Sequence, residues 1–295
     1  MKLTNNFGLP TAYYRAVKSI RESYNRGESD YTITQLCRPP YMDRLLKEYD
    51  DELEVDVSKM GYAFLGSLAH KTLEEAEADG DVEDRIYTTA LGKKIGMQYD
   101  RITKSGKTLQ DYKVLSVWEY IHGFKEDKVF QLNSGMHIAN ENGYNITNVE
   151  IIAFFRDWKA GDLKMSEATG KSYPPSQTMR MKAELWSYDK WRQVLEAKVK
   201  YHMDSQYEPC TVEERWAKPD VWLVLNENEN AIRNGRHATQ DEAEKQLSSR
   251  KDRQKLRIVK RAGYSTRCED YCDVSKFCPF YRKRKADEEK SSDKA

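Results

Sequence analysis

Cysteine is scarce in this chain and its count is odd, with five cysteines among 295 residues. An odd count argues against a framework of paired disulfide bonds. Long apolar stretches are also missing, since no run approaches the roughly 20 residues that a membrane-spanning helix requires. The N-terminal sequence MKLTNNFGLPTAYYRAVKSI lacks the apolar region of a secretory signal. We therefore expect a cytoplasmic protein, in a prokaryotic cell or in the host of a virus, without a membrane partner.

Net charge is nearly absent as well, at +1, but the two signs are segregated along the chain. Residues 48 to 84 hold 13 acidic residues and two lysines, whereas residues 244 to 285 hold 14 lysines and arginines against five acids. A basic segment suits a polyanion such as DNA, because neutralised phosphates release their counterions. A solvated helix face would account for the same residues.

The periodicity of apolar residues predicts an α/β domain with a mixed sheet. Apolar residues recur at helical spacing in SKMGYAFLGSLAHKTLEEAEADG, a segment that includes His70 and stops at Gly80. Two strands, residues 86–103 and 108–115, are expected to pair through the turn KSGK, where Gly106 can adopt a positive φ.

Later segments continue this alternation of helices and strands. Ser116 and Glu119 predict a capping box that opens a helix of roughly 25 residues. NVEIIAFFRDW is apolar and β-rich, as expected of a buried strand. Residues 188–205 predict a helix, and residues 220–237 predict a hairpin followed by the short helix TQDEAEKQL.

Two acids and a lysine lie around the KSGK turn. Asp111 and Lys113 are two residues apart, so their side chains leave the same face of one strand, and Asp100 near the end of the preceding strand can lie opposite them. Paired carboxylates select a hard cation such as Mg²⁺ or Mn²⁺, and a neighbouring lysine can orient water or stabilise charge on a phosphate. An exposed, salt-bridged hairpin would carry the same three residues.

The order of these motifs resembles the PD-(D/E)XK nuclease superfamily, and within it the RecB-like, CRISPR-associated four-cysteine exonuclease family. The matching motifs are His70 in GSLAHKTLE, Asp100 in MQYDRI, Asp111 and Lys113 in LQDYKV, and Gln131 in VFQLNSG. The resemblance implies that His70, Asp100, Asp111 and the carbonyl of Tyr112 ligate the metal, that Lys113 is the catalytic lysine, and that Gln131 also belongs to the catalytic set.

Two positions depart from that family. Asp111 stands where glutamate is commoner, and Gly135 stands where the family usually has a tyrosine four residues after the glutamine. His137 or Tyr144 would have to replace this tyrosine.

Three of the five cysteines crowd into RCEDYCDVSKFCPFY, at positions 268, 272 and 278. With a fourth thiolate they would suit either tetrahedral Zn²⁺ or an iron–sulfur cluster. The resemblance implies a [4Fe-4S] cluster held by one cysteine before the histidine motif and three near the C-terminus, which assigns Cys37 together with Cys268, Cys272 and Cys278. The three residues between Cys268 and Cys272, one more than is usual in the family, leave zinc as an alternative. Cys210 has no motif partner and is expected to be a core or partly exposed thiol.

The resemblance implies a restriction-endonuclease-like fold, a central mixed sheet flanked by helices, with an N-terminal helical arm and a C-terminal cysteine clasp. The expected segments are an arm (1–57), a nuclease core (58–210), an inserted hairpin–helix module (211–264), the cysteine segment (265–285) and a disordered tail (286–295). The implied activity is metal-dependent exonuclease cleavage of single-stranded DNA or DNA ends, in recombination, repair or CRISPR adaptation, in a cell or a phage. The alternatives are a DNA-binding or interaction module with weak or no catalysis, and a zinc-stabilised structural protein.

Overall fold

The computed structural model describes residues 1–23, 25–76, 80–82 and 84–292. These residues form two compact units, the first comprising residues 1–43 and 50–206, the second comprising residues 44–49 and 207–295. The segment expected to be a separate N-terminal arm lies mostly within the first unit, together with the expected nuclease core. The inserted module and the cysteine segment share the second unit.

The first unit alternates helices and strands. Its helices are α1 (Thr11–Glu22), α2 (Ile33–Leu36), α3 (Pro40–Glu48, whose residues from Arg44 onwards belong to the second unit), α4 (Gly61–Ala76), α5 (Val117–His122), α6 (Glu126–Glu141), α7 (Ala160–Thr169) and α8 (Tyr188–Asp204). Its strands are β1 (Lys2–Thr4), β2 (Tyr31–Thr32), β3 (Glu54–Asp56), β4 (Gly80–Val82), β5 (Arg85–Ala90), β6 (Lys93–Gln98), β7 (Arg101–Thr103), β8 (Thr108–Leu115), β9 (Asn148–Phe155) and β10 (Thr178–Lys182).

The largest sheet has five strands in the order β10-β9-β8-β7-β4. Strands β8 and β9 run parallel, whereas the other neighbours are antiparallel, so this sheet is mixed. A smaller sheet has the order β2-β6-β5, and β1 pairs with β3. The prediction of an α/β unit with a mixed sheet and flanking helices is therefore confirmed.

The single strand expected over residues 86–103 is wrong, because the chain breaks it into β5, β6 and β7. Leu91 and Gly92 adopt φ values of 49° and 72°, and this left-handed pair turns β5 back onto β6. A second break at Tyr99 and Asp100 moves the chain from the small sheet to the large one. The KSGK turn between β7 and β8 is confirmed, with Gly106 at φ 68°.

The long helix expected after Ser116 is also interrupted. Ser116 caps α5 as expected, accepting a hydrogen bond from the Trp118 amide at 3.3 Å. Gly123 then adopts a φ of 80°, which ends α5 and separates it from α6. Glu119 forms an ion pair with Lys128 on α6 rather than completing the capping box.

Helix α6 is buried along most of its length and organises the core of the first unit. The Asn133 amide donates to the carbonyls of Val129 and Glu184 at 2.9 and 2.8 Å, and its oxygen accepts from the Trp186 amide at 2.7 Å. Such satisfied polar groups fix the position of the helix without leaving a buried donor unpaired. Helix α4 is different, since Tyr62, Leu65 and Leu68, which are part of its apolar stripe, are exposed.

His202 of α8 provides a pH-dependent term in the stability of this core. Its side chain is buried, and burial lowers the pKa of the imidazole from 6.5 to about 4. Because the folded state holds the neutral ring, the unfolded state binds a proton more readily, and stability is lost as pH falls from 6.5 towards 4. We expect His202→Gln to remove about 2 kcal/mol of this acid-dependent loss. Denaturant unfolding of both proteins at pH 7.5 and pH 4.5 measures it; equal losses would contradict the assignment.

The second unit contains strands β11 (Val221–Leu225), β12 (Ala231–His237) and β13 (Arg257–Arg261), helix α9 (Gln240–Ser249) and helix α10 (Pro279–Ser292). The predicted hairpin is confirmed as β11 and β12, and β13 adds to the other edge of β11. Thr239 and Glu242 form the capping box of α9. Helix α10 continues through Ser292, where a disordered tail was expected, and residues 293–295 lie outside the described residues. Across the described part of the chain, each helix is too short or too polar to cross a bilayer.

Candidate functional site

The β7–β8 hairpin places the two motif acids opposite each other. Arg101 pairs with Gln110 and Ile102 pairs with Leu109, so the next position in the same register sets Asp100 across from Asp111. The Tyr112 amide donates a hydrogen bond to Asp100 Oδ2 at 2.6 Å. This bond holds the Asp100 carboxylate against β8, beside the residues that the acid-x-lysine motif contributes.

His70 reaches the same acid from α4. Its Nδ1 lies 3.4 Å from Asp100 Oδ1, and its ring meets the Tyr112 ring edge to face, with centroids 6.1 Å apart. Burial works to lower the pKa of His70, but the hydrogen bond and charge of Asp100 outweigh it and raise the pKa above 6.5. Burial works to raise the pKa of Asp100, but the hydrogen bond from His70 and the charge of Lys113 bring it below 3.8.

Asp111 and Lys113 form the second charged pair. Lys113 Nζ lies 2.8 Å from Asp111 Oδ1, and the side chains are 30% and 14% exposed respectively. The pKa of Asp111 is raised above 3.8, mainly by burial and further by the negative charge of Asp100. The positive charge of Lys113 works in the opposite direction but does not cancel this rise. Burial works to lower the pKa of Lys113, but the charges of Asp111 and Asp100 raise it above 10.5.

The second carboxylate oxygen of Asp111, Oδ2, takes part in none of these contacts. It is buried and has no hydrogen-bond partner among the described residues. A buried carboxylate oxygen without a partner is costly unless a cation or a donor satisfies it. Together with the raised pKa of the Asp111 carboxyl group, this unpaired oxygen indicates a ligand-binding site, where the arrangement serves a ligand at a cost to the stability of the fold.

A cleft of about 180 Å³ joins these residues to α6. Asp100, Asp111, Lys113 and Gln131 all line it. The structure thus brings together, in one cleft, the four residues to which the resemblance gave a catalytic role, and His70 lies beside one of them. Arg85 and Gln98 line the same cleft; they carry no motif and could be found only from the pairing of β5 with β6.

Gly135 allows α6 to pack closely against the strands beneath it. A Cβ atom at this position would lie 3.1 Å from both Leu109 Cδ1 and Met97 Cε. A tyrosine at this position, as the resemblance would imply, therefore crowds Leu109 and Met97 from its Cβ outwards. We expect Gly135→Tyr to lower the free energy of unfolding by about 3 kcal/mol, as overpacking of a core does. Denaturant unfolding measures the loss. An exposed helical glycine with open space around its Cα, Gly161, is the matched control, and equal effects at the two positions would contradict the packing argument.

The two residues expected to stand in for that tyrosine make other contacts. His137 Nε2 lies 3.0 Å from the Trp186 carbonyl oxygen, and its ring stacks on Trp191 at 4.9 Å. Tyr144 shares a hydrogen bond of 3.1 Å with the Tyr99 hydroxyl. Burial lowers the pKa of His137 below 6.5, as expected of a neutral ring in the core. Neither residue is among those that line the cleft.

The donors in the cleft fit a hard divalent cation. The set comprises two opposed carboxylates, one of which presents a buried and unpaired oxygen, and an imidazole beside the other. Within the described ranges, no group of three or more His, Cys, Asp and Glu side chains is already gathered around one ion position. As placed, Lys113 and His70 balance the charges of the two acids.

The cysteines are divided between the two units. Cys37 follows α2 in the first unit, where its Sγ lies 3.4 Å from the Ile33 carbonyl oxygen and 3.6 Å from that of Asp127. Burial raises the pKa of the Cys37 thiol to about 12. The other four cysteines are all in the second unit, and we call them the second-unit thiols: Cys210, Cys268, Cys272 and Cys278.

Comparison with known proteins adds little. No model of a protein family matches the chain, and no curated protein matches it. Among solved structures, the chain is similar to the crystal structure of SSO0001, with a TM-score of 0.47 and 14% sequence identity over 69% of this chain and 89% of that chain.

Proposed function

We propose that the chain is a metal-dependent deoxyribonuclease of the PD-(D/E)XK superfamily, similar to the RecB-like four-cysteine exonucleases. Its substrates would be single-stranded DNA or DNA ends, and its first unit would have a restriction-endonuclease-like fold. The observation that carries the proposal is the convergence of Asp100, Asp111 and Lys113 on one cleft, with Asp111 Oδ2 buried and unpaired.

Four groups of the site would bind the metal ion. Asp111 and Asp100 would hold Mg²⁺ or Mn²⁺ together with His70 and the carbonyl of Tyr112. An ion held there would supply Lewis acidity and a water of lowered pKa. The Tyr112 amide keeps the Asp100 carboxylate in position through the 2.6 Å hydrogen bond, so that less order has to be gained when the ion binds.

Lys113 supplies a fixed positive charge beside this set. Its pKa is raised by Asp111 and Asp100, so the ammonium group stays protonated throughout the physiological range. A protonated lysine can donate to a phosphate oxygen or orient the water, and it stabilises the negative charge that grows on the phosphate in the transition state. Gln131, on the α6 side of the cleft, would contribute an amide to the same substrate.

The experiment that tests this proposal is digestion of end-labelled single-stranded and double-stranded DNA by the full chain with Mn²⁺, with Mg²⁺ and with EDTA. We expect metal-dependent cleavage that EDTA abolishes. A chain that binds Mn²⁺ and DNA but leaves every substrate intact would favour the alternative of a DNA-binding module. A chain that binds neither would refute both.

A further inference from the structure

Arg85 lies at the start of β5 and lines the same cleft as the motif acids. It pairs with Gln98 across the small sheet, and the Tyr99 amide donates to the Asp84 carbonyl at 3.3 Å. These two contacts hold the start of β5 beside the segment that leads to Asp100. A guanidinium group thus shares the cleft with the proposed metal ligands, although no part of the nuclease motif includes it.

Uncharged acceptors hold this guanidinium group. Its Nη2 donates to the Asn25 carbonyl oxygen and to Gln98 Oε1 at 3.1 Å. The neighbouring carboxylate of Asp84 accepts from the Arg85 backbone amide at 2.7 Å, not from its side chain. Because both side-chain bonds start from one nitrogen, the donors on Nε and Nη1 have no acceptor within the described ranges. Those donors belong to a half-buried side chain and are available to a ligand.

The charge of Arg85 is likewise not balanced by an acid of the cleft. Lys113 pairs with Asp111, and His70 lies against Asp100. In the part of the chain that the structure describes, the Arg85 side chain bonds only to a carbonyl and an amide oxygen. A divalent cation held by the two acids would make the cleft more positive still. The charges of the cleft therefore favour an anionic ligand.

The loop between α1 and β2 fixes this arginine in place. The Gly27 amide donates to Asn25 Oδ1 at 2.8 Å, and Arg26 Nη2 donates to the Ser29 carbonyl at 2.6 Å. Gly27 adopts a φ of 63°, and a Cβ atom there would lie 2.7 Å from Arg85 Cδ, so glycine permits this close approach. Because the long side chain is already ordered, less conformational entropy is lost when a ligand binds.

We propose that Arg85 is a phosphate-binding residue, which donates from Nη1 or Nε to a backbone phosphate of the DNA strand. This inference rests on the proposed nuclease function and extends it to a residue outside the motif. With several nitrogens, arginine can stay bonded to the loop through one of them and offer charged donors from the others, which a lysine ammonium cannot do. A phosphate contact positions the strand without reading its bases, so the contribution of Arg85 would not depend on sequence.

The salt dependence of DNA binding provides the test. The dissociation constant of a fluorescein-labelled single strand is measured by anisotropy at several NaCl concentrations in Ca²⁺, with a gel to check that the strand stays intact. Each lost phosphate contact lowers the slope of log K against log salt by about 0.7 for single-stranded DNA. We expect Arg85→Gln to show this loss of slope and to bind about tenfold more weakly at about 0.1 M NaCl, since a hydrogen bond to a charged group is worth about this factor.

Cleavage kinetics provide a second readout of the same variant. A contact made equally in the ground state and the transition state affects KM alone. With Mn²⁺, Arg85→Gln should therefore raise KM about tenfold and keep kcat within about twofold of wild type. Unchanged affinity and salt slope in Arg85→Gln would overturn the inference.

Two further variants separate a phosphate contact from a structural role. Arg85→Lys should keep the salt slope, because its charge remains, and lose about threefold in affinity, because one nitrogen must serve both the loop and the phosphate. Lys93→Gln removes a charge at the opposite end of the β5–β6 hairpin, where Lys93 pairs with Ala90, and should match wild type in affinity and slope. If melting shows that Arg85→Gln does not fold, equal affinities of Arg85→Lys and Lys93→Gln would overturn the inference instead.

These measurements also distinguish the inference from the proposed function. A wild-type chain that binds DNA, with Arg85→Gln binding equally well, refutes only the role of Arg85. A chain whose binding depends on Arg85 but which leaves every DNA intact refutes only the nuclease activity. A wild-type chain that binds no DNA refutes both.

Discussion

Replacing Lys113 by methionine is expected to reduce DNA cleavage by about 10³-fold, because one fixed donor to transition-state charge is typically worth 10²–10³ in rate. Methionine keeps the apolar stem, so the packing beneath Lys113 should survive. The ammonium group now 2.8 Å from Asp111 Oδ1 is lost without creating a cavity. Initial rates on end-labelled DNA at saturating Mn²⁺ measure the effect.

A lysine on the same hairpin serves as the control. Lys107 is exposed at the turn between β7 and β8, and Lys107→Met should keep cleavage within about twofold of wild type, as surface substitutions usually have small effects. Mn²⁺ should still raise the melting temperature of Lys113→Met, since the metal ligands remain. A Lys113→Met protein that retains more than a tenth of wild-type cleavage would refute the catalytic role of this residue.

The acid–acid–lysine arrangement could be predicted from the sequence because it is local. A four-residue turn sets the register of β7 against β8, and this register places Asp100 opposite Asp111. The contact of His70 with Asp100 and the position of Gln131 in the cleft depend on how α4 and α6 pack on the sheet. Spacing along the chain does not determine such packing, and for these residues the resemblance to a family supplied the expectation.

The errors also have physical causes. Apolar residues continue through both breaks in the regular structure, at Leu91–Gly92 and at Gly123. Hydrophobic periodicity therefore predicted a strand and a helix that are longer than those in the structure.

Asp111→Asn is expected to stabilise the protein in EDTA and to abolish its response to Mn²⁺. The folded-state pKa of Asp111 is raised above 3.8 by burial, with the charge of Asp100 adding to the rise, so the ionised carboxylate is less favourable in the fold than in the unfolded chain. Stability that is present at low pH is therefore lost as pH rises through the pKa of Asp111. Asparagine has the same shape without the charge, and we expect a melting temperature about 2–4 °C higher at pH 7.5.

The same substitution removes a metal ligand. Wild-type protein at 100 times its dissociation constant for Mn²⁺ should gain about 2.7 kcal/mol of stability, and Asp111→Asn should gain almost none. Cleavage should fall by about 10³-fold or more, because the proposed ion that would activate the water is no longer held. Thermal unfolding with Mn²⁺ and with EDTA measures both effects, and Asp162→Asn, at an exposed acid in the first turn of α7, is the control. A variant that is destabilised in EDTA yet stabilised by Mn²⁺ as strongly as wild type would place the acid in a structural ion pair with Lys113 and the metal elsewhere.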